Sequence, residues 1–419
     1  ARSVQPLWNG CQHGTWFFLA WHRMFLFYFE RIVRKAVVDA GGPADWALPY
    51  WNYGLGGRHA TIPRPFRSAQ VSGHANALFV SQRAPGINTG AAIPPQVASP
   101  AFALARPRFT GTAQFGGGVT PAGGQFFAQT GQLEQTPHND VHVVVGGNDG
   151  WMTDPDQAAE DPIFWLHHAN IDRLWAVWFG AGGHHNPTDH RWTNQKFFFF
   201  DADGTEVSKH CHEVVDTVAD LDYTYDPDPA PAQPAPSLAA AAGGPVSDEP
   251  EAEPTLVGAT AHPLELTGRA DKVAVPIDAQ AHAEALVAAP APRVILNMED
   301  IEAGANPGTV YGVYVNLPDG APPDQAELHH AGNLSFFGIE RSLHPRGDEQ
   351  PHGMRVSLDI TDIARAQQAR GEWDPAQVEV TFRPHGLIPP DVEDGEAAEP
   401  PAPPTGPPVT VGRVSVYYE

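Results

Sequence analysis

Residues 226–254 hold eight prolines and six acids, with neither Lys nor Arg, and include an alanine run at Ala239–Ala242. Such a stretch buries too little apolar area to offset the entropy of ordering it, so the chain on either side must fold around its own core. It is read as a linker over 226–256, separating a first domain at 1–225 from a second at 257–419. The full length of 419 residues suits two to three domains at ~150 residues each. Aromatic residues and the richest histidine contexts lie before the break, whereas Val-rich alternating segments dominate after about residue 290. A second tract, 389–408, has eight prolines and five acids. It is followed by the alternating run Val409–Tyr418, and so is read as a disordered loop inside the last domain.

Charge narrows the partners. With 25 Lys+Arg against 49 Asp+Glu the net charge is −24, which repels nucleic-acid backbones and anionic membranes. No apolar run approaches the ~18–20 residues of a membrane span. The opening Ala1-Arg2-Ser3-Val4-Gln5-Pro6 has neither a basic nor an apolar leader region. Two cysteines, Cys11 and Cys211, allow at most one bridge.

In the first domain the sequence predicts helices over Trp16–Ala40 and Asp161–Phe179, the second with Asp161 as N-cap, Pro162 in its first turn and Gly180 just past its end. In the second domain, Arg293–Glu299, Thr309–Leu317, Asn333–Gly338, Met354–Ile360, Gln377–Arg383 and Val409–Tyr418 read as strands between Pro/Gly/Asp turns. The expected fold is therefore multidomain α and β: a mainly α-helical bundle, then a C-terminal antiparallel β-sandwich or jelly-roll-like domain.

Chemistry concentrates in the histidines. His138 and His142 stand at i and i+4, a spacing that puts both imidazoles on one side of a helical turn, although two surface residues share it as easily. On the helix from Asp161, Phe164, His168, Ile171, Trp175 and Trp178 recur at spacings 4, 3, 4, 3, so His168 lies within a bulky apolar stripe. His167 sits about 100° round the helix, in a supporting or structural place. Phe18, His22, Phe25 and Phe29 repeat the pattern on the first helix. His13, nine residues before His22, would be half a turn out of phase on one helix and must come from the loop before it. Imidazole-only sets suit copper or zinc, and histidines on facing bundle helices suit a binuclear centre. A hydrolytic zinc site is disfavoured, because no dedicated general base stands beside an open three-ligand metal.

Three motifs occur in order: His13-Gly-Thr-Trp-Phe-Phe-Leu-Ala-Trp-His22-Arg23, Pro137-His-Asn-Asp-Val-His142, and Asp161-Pro-Ile-Phe-Trp-Leu-His-His168-Ala-Asn-Ile-Asp172-Arg173. Together they resemble the two copper signatures of the tyrosinase, catechol oxidase and molluscan-haemocyanin family of type 3 copper proteins. Tyr223-Thr-Tyr225 is similar to the tyrosine motif that closes the catalytic domain in fungal and plant members, and residues 293–419 resemble their C-terminal β-domain. The resemblance implies two copper ions, a phenolic substrate and dioxygen. His13 and His22 would be ligands of the first copper, and His138, His142 and His168 of the second. A third first-copper histidine is expected upstream of His13, where this sequence has none, as in an N-terminally shortened chain. Cys11 matches members in which this cysteine is joined by a thioether to the ligand histidine, here His13; a Cys11–Cys211 disulfide or free thiols are the alternatives.

The resemblance further implies ortho-hydroxylation of monophenols and oxidation of o-diphenols to o-quinones. Glu134 and Asn139 match the pair proposed to hold a basic water. Pro155, thirteen positions before His168, stands where plant catechol oxidases place a gating phenylalanine. Asp172 could accept an imidazole N–H, or pair with Arg23 or Arg173, and Phe164 and His167 would support the ligands. Phe336 or Phe337 would plug the site from a shielding C-terminal domain. Glu30, His184-His185 and His329-His330 are expected at surface or loop positions without a role. Alternatives are an oxidase of diphenols or o-aminophenols only, or a haemocyanin-like oxygen-binding unit.

Overall fold

Three helices carry His22, His142, His167 and His168: α1 (Phe18–Asp39), α2 (Asp140–Gly146) and α3 (Ile163–Gly180). The computed structural model describes residues 10–122, 129–226, 254–286, 292–343, 353–390 and 406–419. Most of the expected linker, and residues 391–405 of the expected loop, lie outside these. The chain divides into two compact units, one of residues 1–80, 100–134 and 159–233, the other of 81–99, 135–158 and 234–419. Among the described residues no helix is long and apolar enough to cross a membrane.

In the first unit the aromatic stripes of α1 and α3 face each other. Phe25 packs on Trp165 at 4.8 Å between ring centroids and on Phe164 at 6.3 Å. The start of α1 is buried from Phe18 to Met24, while Ile32 and Val38 near its end are exposed. Trp16 and Phe17 lie in the turn before the helix, where the Phe18 N–H donates to the Thr15 carbonyl at 3.1 Å. On α3 the Asp161 carboxylate accepts the Ile163 N–H at 3.0 Å, the capping role its position predicts, and Gly180 is the last helical residue rather than the first beyond. A hairpin of β1 (Lys196–Phe200) and β2 (Glu206–His210) adds Phe197 and Phe199 to this aromatic core. The alternating Phe197-Phe-Phe199 run explains it: inward rings are buried and Phe198 is exposed.

The second unit contains two antiparallel sheets. The strands are β3 (Thr255–Ala259), β4 (Leu264–Leu266), β5 (Asp271–Pro276), β6 (Val294–Ala303), β7 (Val310–Val315), β8 (His330–Leu334), β9 (Met354–Asp359), β10 (Gln377–His385) and β11 (Val409–Tyr418). One sheet runs β8-β7-β10-β5, and the other β9-β6-β11-β3 with β4 also on β11. Five of the six expected strands are present within a few residues; the one expected over Asn333–Gly338 is instead His330–Leu334, because the chain leaves the sheet there and enters a short helix at Ile339. β3 begins at Thr255, so the last two residues assigned to the linker are strand. α2 belongs to this unit: Ala84 N–H donates to the Val145 carbonyl at 2.8 Å, and Ala92 bridges Ile388.

Candidate metal centre

The first unit brings together His13, His22 and His168. His13 comes from the loop before α1, where Gly14 adopts φ +63°, a conformation that favours glycine. The His22 and His168 rings stack at 4.5 Å, flanked by Phe18 at 4.5 Å from His22 and Phe164 at 4.1 Å from His168. His22 Nδ1–H donates to the Phe18 carbonyl at 2.8 Å, which fixes the tautomer and turns Nε2 into the lone-pair atom. Cys11 Sγ lies 3.5 Å from that Nε2 and 3.7 Å from His13 Nδ1. Cys11, His13 and His22 each present one donor atom within 4.8 Å of the others. Both cysteines are free thiols, so the disulfide alternative is not formed; burial pushes the Cys211 thiol up.

Two buried groups complete this unit. The Glu134 carboxyl is 1 % exposed; Oε1 accepts the Gly14 N–H at 2.8 Å, and Oε2 has no hydrogen-bond partner. Burial holds its pKa well above the usual carboxylate range. Asp172 takes the second of its expected roles. Arg23 Nε donates to its Oδ1 at 2.5 Å, and the hydroxyls of Tyr223 and Tyr225 both donate to Oδ2 at 2.5 Å. The Arg23 guanidinium also lies over the Trp175 ring at 3.7 Å. Burial and the Asp172 carboxylate push both tyrosines up, keeping them protonated as donors. His167 is buried with Nδ1 3.1 Å from the Tyr53 hydroxyl, edge-on to His168 at 5.2 Å.

In the second unit, His138 and His142 meet on the turn entering α2, with ring centroids 4.5 Å apart as their spacing predicts. His142 Nδ1–H donates to the Met152 carbonyl at 2.6 Å, and His138 Nδ1–H to Asn139 Oδ1 at 2.8 Å. Both rings therefore offer Nε2. Burial lowers the His142 pKa to about 3, so the ring is neutral at ordinary pH and able to ligate. Phe337 stacks on His142 at 4.3 Å and meets His138 edge-on at 5.6 Å. Phe336 faces elsewhere, edge-on to Tyr311 at 6.0 Å.

Asp140, between the two histidines, is fully buried. Its Oδ2 accepts from Thr136 Oγ1 at 2.8 Å and Asn333 Nδ2 at 2.7 Å. Burial raises its pKa to about 7, against hydrogen bonds that lower it. Pro155 lines a cleft of about 520 Å³ with Asn306 and Gly338. His329 and His330 correct an expectation: they are buried in the β-domain, not at its surface, because His329 Nδ1–H donates to the Val315 carbonyl at 2.8 Å and His330 opens β8. Glu30 pairs with Arg34 at 2.5 Å and accepts the Leu48 N–H, while His184 stacks on Trp178 at 4.3 Å. Met152 and Asn333 carried no sequence signal, since their contacts to this turn span 10 and 193 positions.

Comparison with known proteins agrees with this geometry. The family model for the common central domain of tyrosinase matches residues 2–93 and 105–181, that for the polyphenol oxidase middle domain residues 186–235, and a domain of unknown function (DUF7868) residues 253–419. Tyrosinase HcTyr1 from Hahella sp. (strain CCB-MM4) is 35 % identical over 98 % of this chain and 84 % of its own length. Catechol oxidase B, chloroplastic, from Solanum tuberosum is 29 % identical over 45 % of this chain, a match spanning 34 % of that protein. The structure of latent apple tyrosinase shares the fold, with a TM-score of 0.62 at 21 % identity, covering 97 % of this chain and 84 % of that one. With buried histidines gathered in each unit and a relative 35 % identical across 98 % of its residues, the chain belongs to the tyrosinase family of polyphenol oxidases, whose members bind a binuclear type 3 copper centre.

Proposed function

We propose that this chain oxidises phenols with dioxygen at two copper ions, ortho-hydroxylating monophenols and oxidising o-diphenols to o-quinones, while its C-terminal domain keeps it latent. The observation that carries this reading is the tautomer lock: His22, His138 and His142 each give Nδ1–H to a fixed oxygen and so direct a neutral Nε2 to a ligand. Imidazole sets of this kind fit copper. His13 and His22 would hold the first ion, and His138, His142 and His168 the second. When bound, copper supplies the electron exchange with dioxygen that side chains do not.

The chain's own residues orient substrate and move its proton. Glu134 and Asn139 are read as the holders of a basic water that deprotonates the incoming phenol. A buried Glu134 carboxyl with a partnerless Oε2 supports this, as does Asn139 Oδ1 being engaged by His138, which turns the amide NH2 to the water. Phe164, His167 and Asp172 hold the ligand helices, and Pro155 leaves the entrance without a flat ring. Cys11 is read as joined to His13 by a thioether, an oxidation that removes one hydrogen from Sγ and one from the ring carbon and passes the electrons to dioxygen. Their 3.7 Å approach supports it, and intact mass after copper loading, lower by two hydrogens, tests it.

Phe337 is read as the plug, since it covers His142 and His138. The copper domain is taken as 1–225 and the shielding domain as 257–419. Its two sheets are read as one jelly-roll-like sandwich, because β6 and β7 are buried along nearly all their length. Oxygen uptake with catechol and with a monophenol tests the whole reading. Uptake is expected to vanish in His142→Ala and to rise in Phe337→Ala or after linker cleavage. Equal rates in the plugged and opened forms would remove the shielding role. Turnover of catechol alone would restrict the enzyme to diphenols, and dioxygen released unchanged by every form would make it a carrier.

A further inference from the structure

Asn333 has every polar atom of its side chain engaged while fully buried. Its Nδ2 donates to Asp140 Oδ2 at 2.7 Å and to the Gln96 carbonyl at 2.8 Å, and its Oδ1 accepts from His330 Nε2 at 3.0 Å. Its backbone carbonyl accepts from Gln135 Nε2 at 3.3 Å. The strand is shaped to deliver it: β8 slips register against β7 between His330 and Gly332, and Gly332 takes φ +144°. A bulge of this kind re-aims the following side chain. The residue it contacts is not incidental. Asp140 lies two positions from both His138 and His142, and Thr136, one turn earlier, donates to the same carboxylate oxygen at 2.8 Å.

We propose that Asn333 is a positioning residue for the second metal: a strut from the β-domain that, through Asp140, sets the pitch of the turn carrying His138 and His142. This rests on the reading of those histidines as ligands. It departs from a β-domain that merely covers the site, because one strand exit carries both the strut at Asn333 and the plug at Phe337. Removing the plug with its domain also removes the donor to a buried carboxylate between two ligands. Buried polar groups left without partners reorganise or destabilise their surroundings, and outer partners of ligand elements are worth on the order of 10–100-fold in metal affinity.

The test measures Co(II) and copper binding to the full chain by competition with a chromophoric chelator. It also records the Co(II) d–d spectrum, with thermal unfolding of the metal-free proteins as the fold control. His142→Ala is expected to lose one metal equivalent. Asn333→Ala and Asp140→Ala are expected to weaken that same equivalent on the order of tenfold and to shift its d–d bands. Asp140→Asn is expected to bind like the parent, since an amide oxygen in the Oδ2 position accepts both bonds. If Asn333→Ala does not fold, the contrast between Asp140→Ala and Asp140→Asn decides. Parental affinity and spectrum in both alanine variants would overturn the strut. So would Asp140→Asn failing as badly as Asp140→Ala, which would make charge the active property. If His142→Ala loses nothing, the ligand reading falls, and the strut with it.

Discussion

Asp172 shows how a residue in a metal-binding motif can serve the fold. Its motif position suggested an imidazole partner, yet Arg23, Tyr223 and Tyr225 occupy the carboxylate, and only the last two come from the motif that closes the domain. Removing one member of a buried ion pair strands the other, so Asp172→Ala is expected to cost about 3–5 kcal/mol in urea unfolding. Asp172→Asn, which keeps one acceptor, should cost less. Glu134 behaves in the opposite sense. Its folded pKa is raised by burial, so its ionised form opposes folding: the cost is absent below the unfolded carboxyl pKa and grows as pH rises toward the folded value. Metal-free Glu134→Gln should therefore melt above the parent at pH 7 and level with it near the usual carboxyl pKa of about 4.3, while losing monophenol turnover. A melting difference independent of pH would contradict the burial account. The histidines were legible because each sits in a local pattern. Asn333 was not, since its meaning depends on a partner 193 positions away.

At the level of elements, α1 and α3 were legible from aromatic stripes that recur with the helical period, and β6, β7 and β9 to β11 from β-branched runs between turns; β8, His-Ala-Gly-Asn-Leu without a β-branched residue, was placed three residues too late. β3 to β5 escaped because they are short, partly exposed and follow the Ala- and acid-rich tract, so their alternation is weak. The β1–β2 hairpin hid inside a run of phenylalanines that reads equally as buried helix or strand. The bulge of β8 left no sequence trace beyond Gly332, yet its geometry is demanding. A Cβ there would meet Leu358 Cδ2 at 2.9 Å on a backbone of φ +144°. Gly332→Ala is expected to destabilise by about 1–3 kcal/mol in chemical denaturation. A change within about 0.5 kcal/mol would mean the strand relaxes without strain.

For the whole molecule, the net charge of −24 acts on substrates before any contact. If Phe337→Ala or linker cleavage opens the site as proposed above, kcat/KM for catechol should exceed that for 3,4-dihydroxybenzoate at low salt. The ratio should narrow between about 0.01 M and 0.15 M salt, as the screening length falls from ~30 Å to ~8 Å. A ratio indifferent to salt would place the discrimination inside the site instead. The same scale gives the Asp140–Asn333 hydrogen bond a meaning in time. Its two residues leave the ribosome 193 positions apart, which at about 5–20 residues per second is a delay of roughly 10–40 s. Until β8 has been synthesised, the nascent turn bearing His138 and His142 lacks its distant anchor. If His138 and His142 are the ligands proposed above, metal capture waits for that strand, and the Phe337 ring follows the anchor by only four residues.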